Sequence, residues 1–165
     1  MCRIIDFGKF QFETNKKAAL AKKHGAWETI DYTKENLVER VMQLTKGAKL
    51  PVVYDSVGKD TWEGSLDCIQ PRGLMVSFGN ASGAVTGVNL GILAAKGSLF
   101  VTRPTLATHI VPRSRLEASS EELFDMMARG KIKVDIEQRY SLAEAARAQS
   151  DLASRKTVGS TVIQP

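Results

Sequence analysis

Residues 51–58 read PVVYDSVG, and this stretch decides the fold class. Pro51–Asp55 is a compact apolar run that ends in a polar loop, which is typical of a buried strand in a parallel sheet. A helical pattern over Asp60–Ile69 follows, and then a second apolar run at Gly73–Phe78. Strands that alternate with helices of about ten residues predict right-handed βαβ units and a mostly parallel sheet. The sequence therefore predicts an α/β fold.

The same alternation extends in both directions along the chain. Further strands are predicted at Phe10–Phe12, Trp27–Tyr32, Ser98–Arg103 and Ser160–Ile163. Helices are predicted at Asn15–Gly25, Lys34–Leu44, Leu90–Ala95, Ser119–Arg129 and Leu142–Ala153. Ser141 and Glu144 form a capping-box pattern before the last of these helices, and Lys131–Val134 is predicted to be extended. In such folds ligands bind beyond the carboxyl ends of the strands, so we expect a site among the residues that follow each strand.

Composition excludes several classes of protein. The chain has 165 residues, of which 43% are hydrophobic and 25% charged, so it is long enough and apolar enough to bury a core. The longest uncharged apolar stretches, such as Val88–Ala95, are far shorter than a membrane helix requires. The first residues show no secretory signal pattern, and we expect the protein to be cytoplasmic and to have no contact with a membrane.

Charge and cysteine content narrow the choice of ligand. Cys2 and Cys68 are too far apart for a disulfide framework, and with only His24 and His109 there is no cluster at metal-ligand spacing. No zinc or other metal site is therefore expected. The net charge of +5 fits an anionic ligand such as a phosphate or, less specifically, a nucleic acid. A solvated helix face would explain many of the lysines equally well.

Four stretches carry a resemblance to a known family: Val53–Gly58, Arg72–Asn80, Ser82–Val85 and Val101–Pro104. They closely resemble the zinc-independent NADPH:quinone oxidoreductases of the medium-chain dehydrogenase/reductase superfamily, in its zeta-crystallin-like branch. The resemblance covers roughly residues 14–165, whereas residues 1–12 do not match. It implies a C-terminal half only, because family members combine a GroES-like domain with a Rossmann domain that carries a glycine-rich nucleotide loop. No such glycine-rich motif occurs in this sequence.

The resemblance also implies how the chain is divided. Residues 1–12 are an unmatched segment, residues 13–130 a partial Rossmann-like nucleotide-binding domain, and residues 131–165 a segment that in the family returns to the GroES-like domain. The doubly wound, mostly parallel sheet would lack its first βα unit. In the family's strand order that first strand lies between the strands predicted at Phe10–Phe12 and Val52–Asp55, so we expect a gap in the sheet there.

At the adenosine end of the cofactor, the resemblance assigns Lys17 and Tyr32 to the 2′-phosphate and Arg155 to the phosphate end. An ammonium group with three donors suits a dianionic phosphate. Lys17 and Arg155 could equally be solvated surface residues, and Tyr32 could be packed at the end of a strand. Glu13 departs from the family, which usually has a small residue there, and an acidic residue at this place favours the ribose hydroxyl of NAD. An altered N-terminal segment is the simpler explanation of Glu13.

At the nicotinamide end, the resemblance assigns residues that follow three strands. They are Ser56, Phe78, Gly79, Asn80, Ala81, Pro104, Thr105 and Leu106. Glycine permits close approach of the backbone to a ligand, and asparagine can bond an amide or a ribose. The alternatives are a serine that caps a helix and an ordinary turn after the strand. No residue in this half is predicted to act as a catalytic acid or base.

The predicted function is therefore that of a truncated, C-terminal portion of an NADPH-dependent quinone oxidoreductase. The whole enzyme would pass a hydride from nicotinamide C4 to a quinone or a similar electron-poor acceptor. The resemblance also implies a homodimer formed by edge pairing of Ser98–Thr102. Since the catalytic domain and the glycine loop are missing, we expect the isolated chain to be a poor enzyme. The alternative is a noncatalytic module that binds a nucleotide or RNA, or one that only dimerises.

Overall fold

The computed structural model describes residues 4–6, 15–31, 34–154 and 156–165. A four-stranded sheet, in the order β1-β2-β3-β4, is parallel throughout. Its strands are β1 (Ile4–Asp6), β2 (Leu50–Asp55), β3 (Ile69–Ser77) and β4 (Phe100–Thr102). The helices around it are α1 (Asn15–Lys23), α2 (Leu37–Thr45), α3 (Trp62–Asp67) and α4 (Gly91–Ala95). The predicted α/β class is confirmed.

The remaining elements follow β4 along the chain and include a second, small sheet. They are α5 (Leu106–Ile110), α6 (Arg113–Ala128), β5 (Ile136–Ser141), a 3-10 helix (Leu142–Glu144), α7 (Ala145–Ala153) and β6 (Ser160–Gln164). Strands β5 and β6 pair in parallel with each other. The chain divides into two compact units, Met1–Thr108 and His109–Pro165. The domain boundaries at residues 12/13 and 130/131 stay predictions.

The core of the first unit lies around β2 and β3. Val53 on β2 and Met75 on β3 are paired in register and fully buried. The other core residues are Ile30, Val41, Leu50, Val57, Leu66, Cys68, Ile69 and Leu99. Since the parallel strands are covered by these side chains, β2 reads as an almost continuous apolar run, as the sequence predicts.

Local signals explain where the elements begin and end. The predicted helix at Lys34–Leu44 starts only at Leu37, because Asn36 caps it: the Asn36 Oδ1 accepts the N–H groups of Val38 and Glu39 at 3.0 and 3.1 Å. Ser141 and Glu144 form the predicted capping box. Within the described residues no helix is long and apolar enough to cross a membrane.

Two predictions about the first strands need correction. The predicted strand at Trp27–Tyr32 is wrong over residues 27–31, where only Ile30 is buried and the chain turns instead, with the Lys34 N–H bonded to the Asp31 carbonyl. The strand at Phe10–Phe12 lies outside the described residues. The expected gap beside β2 is filled, since β1 pairs with it. An open strand edge exposes unpaired N–H and C=O groups, which β1 satisfies.

The sequence also misplaced several boundaries. Ile69, predicted to end a helix, begins β3 instead, and this early start is accompanied by a register shift against β2. Helix α6 begins six residues before the predicted Ser119, at Arg113. Helix α5 and strand β5 were not predicted. The missed β5 reads IEQRYS, a polar sequence with little of the β-branched and apolar content on which strand prediction depends.

Candidate cofactor site

Two loops lie side by side at the carboxyl ends of β2 and β3. The first loop comprises residues 56–60 and the second loop residues 78–83. Backbone N–H groups at the end of β3 and in the second loop bond to carbonyls at the end of β2 and in the first loop: Phe78 to Asp55 (2.8 Å), Ala81 to Ser56 (3.2 Å) and Ser82 to Val57 (2.8 Å). The Ser82 hydroxyl adds a bond to the Val57 carbonyl at 2.9 Å. The two loops therefore form one hydrogen-bonded structure.

Glycine is required at the points where the loops meet. A Cβ at Gly79 would overlap the carbonyl oxygen of Ser56, and one at Gly58 would lie 2.6 Å from the carbonyl oxygen of Gly83. Gly58 also has a φ of +92°, which residues with a side chain rarely adopt. The close backbone approach predicted at Gly79 is thus made to Ser56, and it brings these two predicted site residues together.

Arg103, the first residue after β4, ties the second loop to the sheet. Its Nη1 donates to the carbonyl of Ser77 at 2.8 Å and to that of Gly79 at 3.3 Å. With the Asn80 amide assigned from its neighbours, so that its oxygen faces a donor and its nitrogen an acceptor, the oxygen accepts from the Arg103 Nη2 at 3.2 Å and the nitrogen donates to the Gly79 carbonyl at 2.8 Å. Sequence reasoning put Arg103 at the end of the strand predicted at Ser98–Arg103 but did not select it as a site residue. An arginine directly after a strand, beside a glycine-containing loop, was the available signal.

The other nicotinamide-side residues lie at the open edge of these loops. Phe78 is 42% exposed, and its ring meets that of Tyr54 edge-on, with centroids 6.4 Å apart. Pro104 is half-buried, whereas Thr105 and Leu106 are exposed, and the Thr105 hydroxyl bonds to that of Thr108 at 2.8 Å. The structure therefore brings together Ser56 and residues 78–81, with Arg103 leading into residues 104–106. This leaves an exposed ring and backbone edge that a flat ligand could contact.

The residues assigned to the adenosine end stay predictions. Lys17 lies on α1, and its side chain is not among those the structure describes. Tyr32 and Arg155, as well as Glu13, lie outside the described residues.

The described residues contain no group of three or more His, Cys, Asp or Glu side chains that could hold a metal ion. Cys68 is fully buried in the core. Burial raises the pKa of its thiol to about 12, assisted by the charge of Asp67 and opposed by that of Lys49. A thiol with so high a pKa is a poor nucleophile at neutral pH, so Cys68 serves packing.

The chain is similar in sequence to a known family and to curated proteins. A family model described as zinc-binding dehydrogenase matches residues 24–163. A quinone oxidoreductase of Pseudomonas aeruginosa is 64% identical over 150 residues, which are 91% of this chain and 46% of the relative. Quinone oxidoreductase 1 of Escherichia coli is 58% identical over 92% of this chain and 47% of its own length.

Solved structures agree with the sequence matches. A crystal structure of Escherichia coli quinone oxidoreductase complexed with NADPH is similar with a TM-score of 0.87 and 58% identity, covering 92% of this chain and 47% of that one. The chain therefore spans about half the length of the relatives it matches. The fold predicted from the resemblance, a Rossmann-like half, is confirmed.

Proposed function

Because the chain belongs to the zinc-binding dehydrogenase family, we propose that it is a C-terminal portion of an NADPH-dependent quinone oxidoreductase. The observation that carries this proposal is the identity of 58–64% to quinone oxidoreductases across more than nine-tenths of the chain. The joined loops at the carboxyl edge of the parallel sheet support it, since ligands of such sheets bind at that edge.

In this proposal the bound nicotinamide supplies a hydride to a quinone or a similar electron-poor acceptor. The chain's own residues would hold the cofactor and orient its nicotinamide. Lys17, Tyr32 and Arg155 would bind the adenosine and phosphate end. The second loop, with Phe78 and Asn80, would form one wall beside the nicotinamide, with Ser56 and residues 104–106 at its edges. No acid or base is required of this half, because rate in such a transfer comes mainly from proximity and orientation.

Calorimetric titration of the purified chain with NADPH, and with NADH as a control, tests the proposal. We expect NADPH to be preferred, and Lys17→Ala to weaken NADPH binding by about tenfold because a phosphate loses its charged partner. Lys23→Ala is the matched control, since Lys23 is an exposed lysine at the other end of the same helix. The affinity of Lys23→Ala for NADPH should equal that of the wild type.

A folded chain that binds neither nucleotide would contradict the proposal. A steep fall of RNA affinity with salt, in place of nucleotide binding, would favour the noncatalytic RNA-binding alternative. NADH bound as tightly as NADPH would assign Glu13 a part in cofactor choice.

We further propose that the protein forms a homodimer through the edge strand predicted at Ser98–Thr102. Within the described residues, β4 pairs only with β3 and leaves Phe100 60% exposed and Val101 exposed as well. A free strand edge with apolar side chains favours pairing with a second copy. Phe100→Lys should convert the dimer to monomer in sedimentation velocity, whereas Leu106→Lys, at an equally exposed residue outside the strand, should not. A wild-type chain that is monomeric would refute this.

Two further assignments belong to the same proposal. Residues 131–165 would pack against the half of the relatives that this chain does not span, as the family resemblance implies. We also assign the protein to the cytoplasm, where a free thiol such as Cys68 stays reduced.

A further inference from the structure

A buried carboxylate stands at the end of β2, directly before the first loop. Asp55 is fully buried. Its Oδ1 accepts the backbone N–H groups of Val57 and Gly58 at 2.8 and 3.0 Å. Its Oδ2 accepts the hydroxyls of Thr61 and Ser65, both at 2.7 Å. The carboxylate thus joins the first loop to α3 through four short hydrogen bonds.

The donors to Asp55 in these bonds are uncharged amides and hydroxyls. A buried charge costs folding free energy unless it is well bonded, and an apolar residue of similar size often serves stability as well or better. Four directional bonds to one side chain do, however, fix the path of the backbone around it. The arrangement suits orientation of the loop better than stabilisation of the core.

The second loop is positioned by the first loop. The carbonyls of Ser56 and Val57, whose positions follow from the Asp55 bonds, are the acceptors for the N–H groups of Ala81 and Ser82. Gly79 lies directly against Ser56. A change in the path of the first loop therefore moves the acceptors on which the second loop rests.

We propose that Asp55 is the positioning residue that sets the second loop for the nicotinamide end of the cofactor. This deepens the proposed function and rests on it for the identity of the ligand. Asp55 acts through the first loop and does not itself touch the ligand.

Three variants separate positioning from general stability. Asp55→Ala removes all four bonds. Asp55→Asn keeps the oxygen that accepts from Val57 and Gly58, and the two hydroxyls can turn to accept from its amide, so it serves as the conservative rescue. Val41→Ala is the matched control, because Val41 is buried in α2 and belongs to neither loop.

The first readout is amide hydrogen exchange and needs no ligand. In Asp55→Ala the amides of Ala81 and Ser82 should exchange about tenfold faster, relative to the β3 amides, than in the wild type. Asp55→Asn should restore most of this protection. Val41→Ala should speed exchange of loop and strand amides alike. If Asp55→Ala also speeds them all alike, the proposal is overturned.

The second readout compares NADPH with adenosine 2′,5′-bisphosphate, which lacks the nicotinamide end. Asp55→Ala should weaken NADPH binding by about tenfold and leave the bisphosphate unchanged. Equal loss for both, or no loss for NADPH, would overturn the proposal. If the wild type binds neither compound, the proposed function fails while exchange still decides the positioning role. Should Asp55→Ala not fold, Ser65→Ala and Thr61→Val each remove one bond and should show the same local pattern, more weakly.

Discussion

The two units of the chain differ in what they do with their apolar side chains. In the first unit, Met1–Thr108, these side chains fill a core on a parallel sheet. In the described part of the second unit, His109–Pro165, Ala148 alone is buried. Large apolar residues are exposed there instead: Val111, Leu123, Phe124, Met126, Met127, Val134, Ile136, Leu142, Leu152 and Ile163.

The difference shows that apolar content alone does not make a core. A parallel sheet is stable when both faces are covered, and the isolated β5·β6 pair has only two strands. An exposed apolar surface of this extent is typical of a region that meets another polypeptide. The second unit therefore fits the proposal that it packs against the half of the relatives which this chain does not span.

The largest expected effect comes from equal truncations in the two units. Leu66→Ala, at a fully buried residue of the first unit, should lower the free energy of unfolding by about 3 kcal/mol, because it leaves a cavity. Leu142→Ala, at a residue 63% exposed in the second unit, should change it by less than about 0.5 kcal/mol. Urea denaturation of both variants measures the contrast. A comparable loss in Leu142→Ala would show that the second unit is packed in solution, against a second copy for example.

The same contrast explains how much of the fold the sequence could predict. In the first unit the strands at 51–55 and 73–78 were found because their apolar runs are buried in a sheet, and the strand at 98–103 was found from its short apolar run although β4 is exposed. In the second unit β5 was missed, since the residues at its half-buried positions, Gln138 and Tyr140, are polar or amphipathic and give no apolar pattern. Regular patterns of apolar residues indicate which side chains face a core. They are therefore weak predictors in a region that has no core of its own.

The candidate site was likewise only partly predictable from the sequence. The resemblance assigned Ser56 and residues 78–81 to one site, and the predicted topology put both after strands; the structure brings them together at one edge of the sheet. The role of Arg103 could not be predicted, because it depends on hydrogen bonds to a segment more than twenty residues away. The role of Asp55 could not be predicted either, because it depends on burial of the carboxylate among uncharged donors. Such contacts leave no periodic signal in a single sequence.

At about pH 10, a smaller effect is expected from the buried thiol of the first unit. The pKa of Cys68 is about 12 in the folded protein against an ordinary value of 9.0, so the folded state binds the proton more tightly than the unfolded chain does. The contribution of this thiol to stability should be constant below pH 9 and should fall as the pH rises from 9 toward 12. Urea midpoints across this range measure the fall. Cys68→Ala, which has no thiol, should remove this part of the pH dependence, and an unchanged slope in that variant would contradict the assignment.

The smallest effect is expected in the second unit, where the titrating groups are only partly buried. The hydroxyl of Tyr140 donates to Asp151 at 3.0 Å and lowers the pKa of that carboxyl, and Lys156 adds to the effect. Hydrogen bonds from the Ser141 N–H and hydroxyl likewise lower the pKa of Glu144. A lowered carboxyl pKa stabilises the fold above the ordinary value and loses that contribution as the pH falls through the folded value.

Hydrogen exchange of the β5 and β6 amides below pH 5 checks this, once corrected for the intrinsic pH dependence of exchange. Protection should fall between the ordinary carboxyl values and lower pH, while the β2 and β3 amides of the first unit keep theirs. Tyr140→Phe removes the hydroxyl that donates to Asp151, so the pKa of Asp151 should rise. The loss of β5 and β6 protection at low pH should then be smaller. If the first unit lost protection at the same pH, the two units would unfold as one, and the contrast between a self-sufficient unit and a dependent one would have to be abandoned.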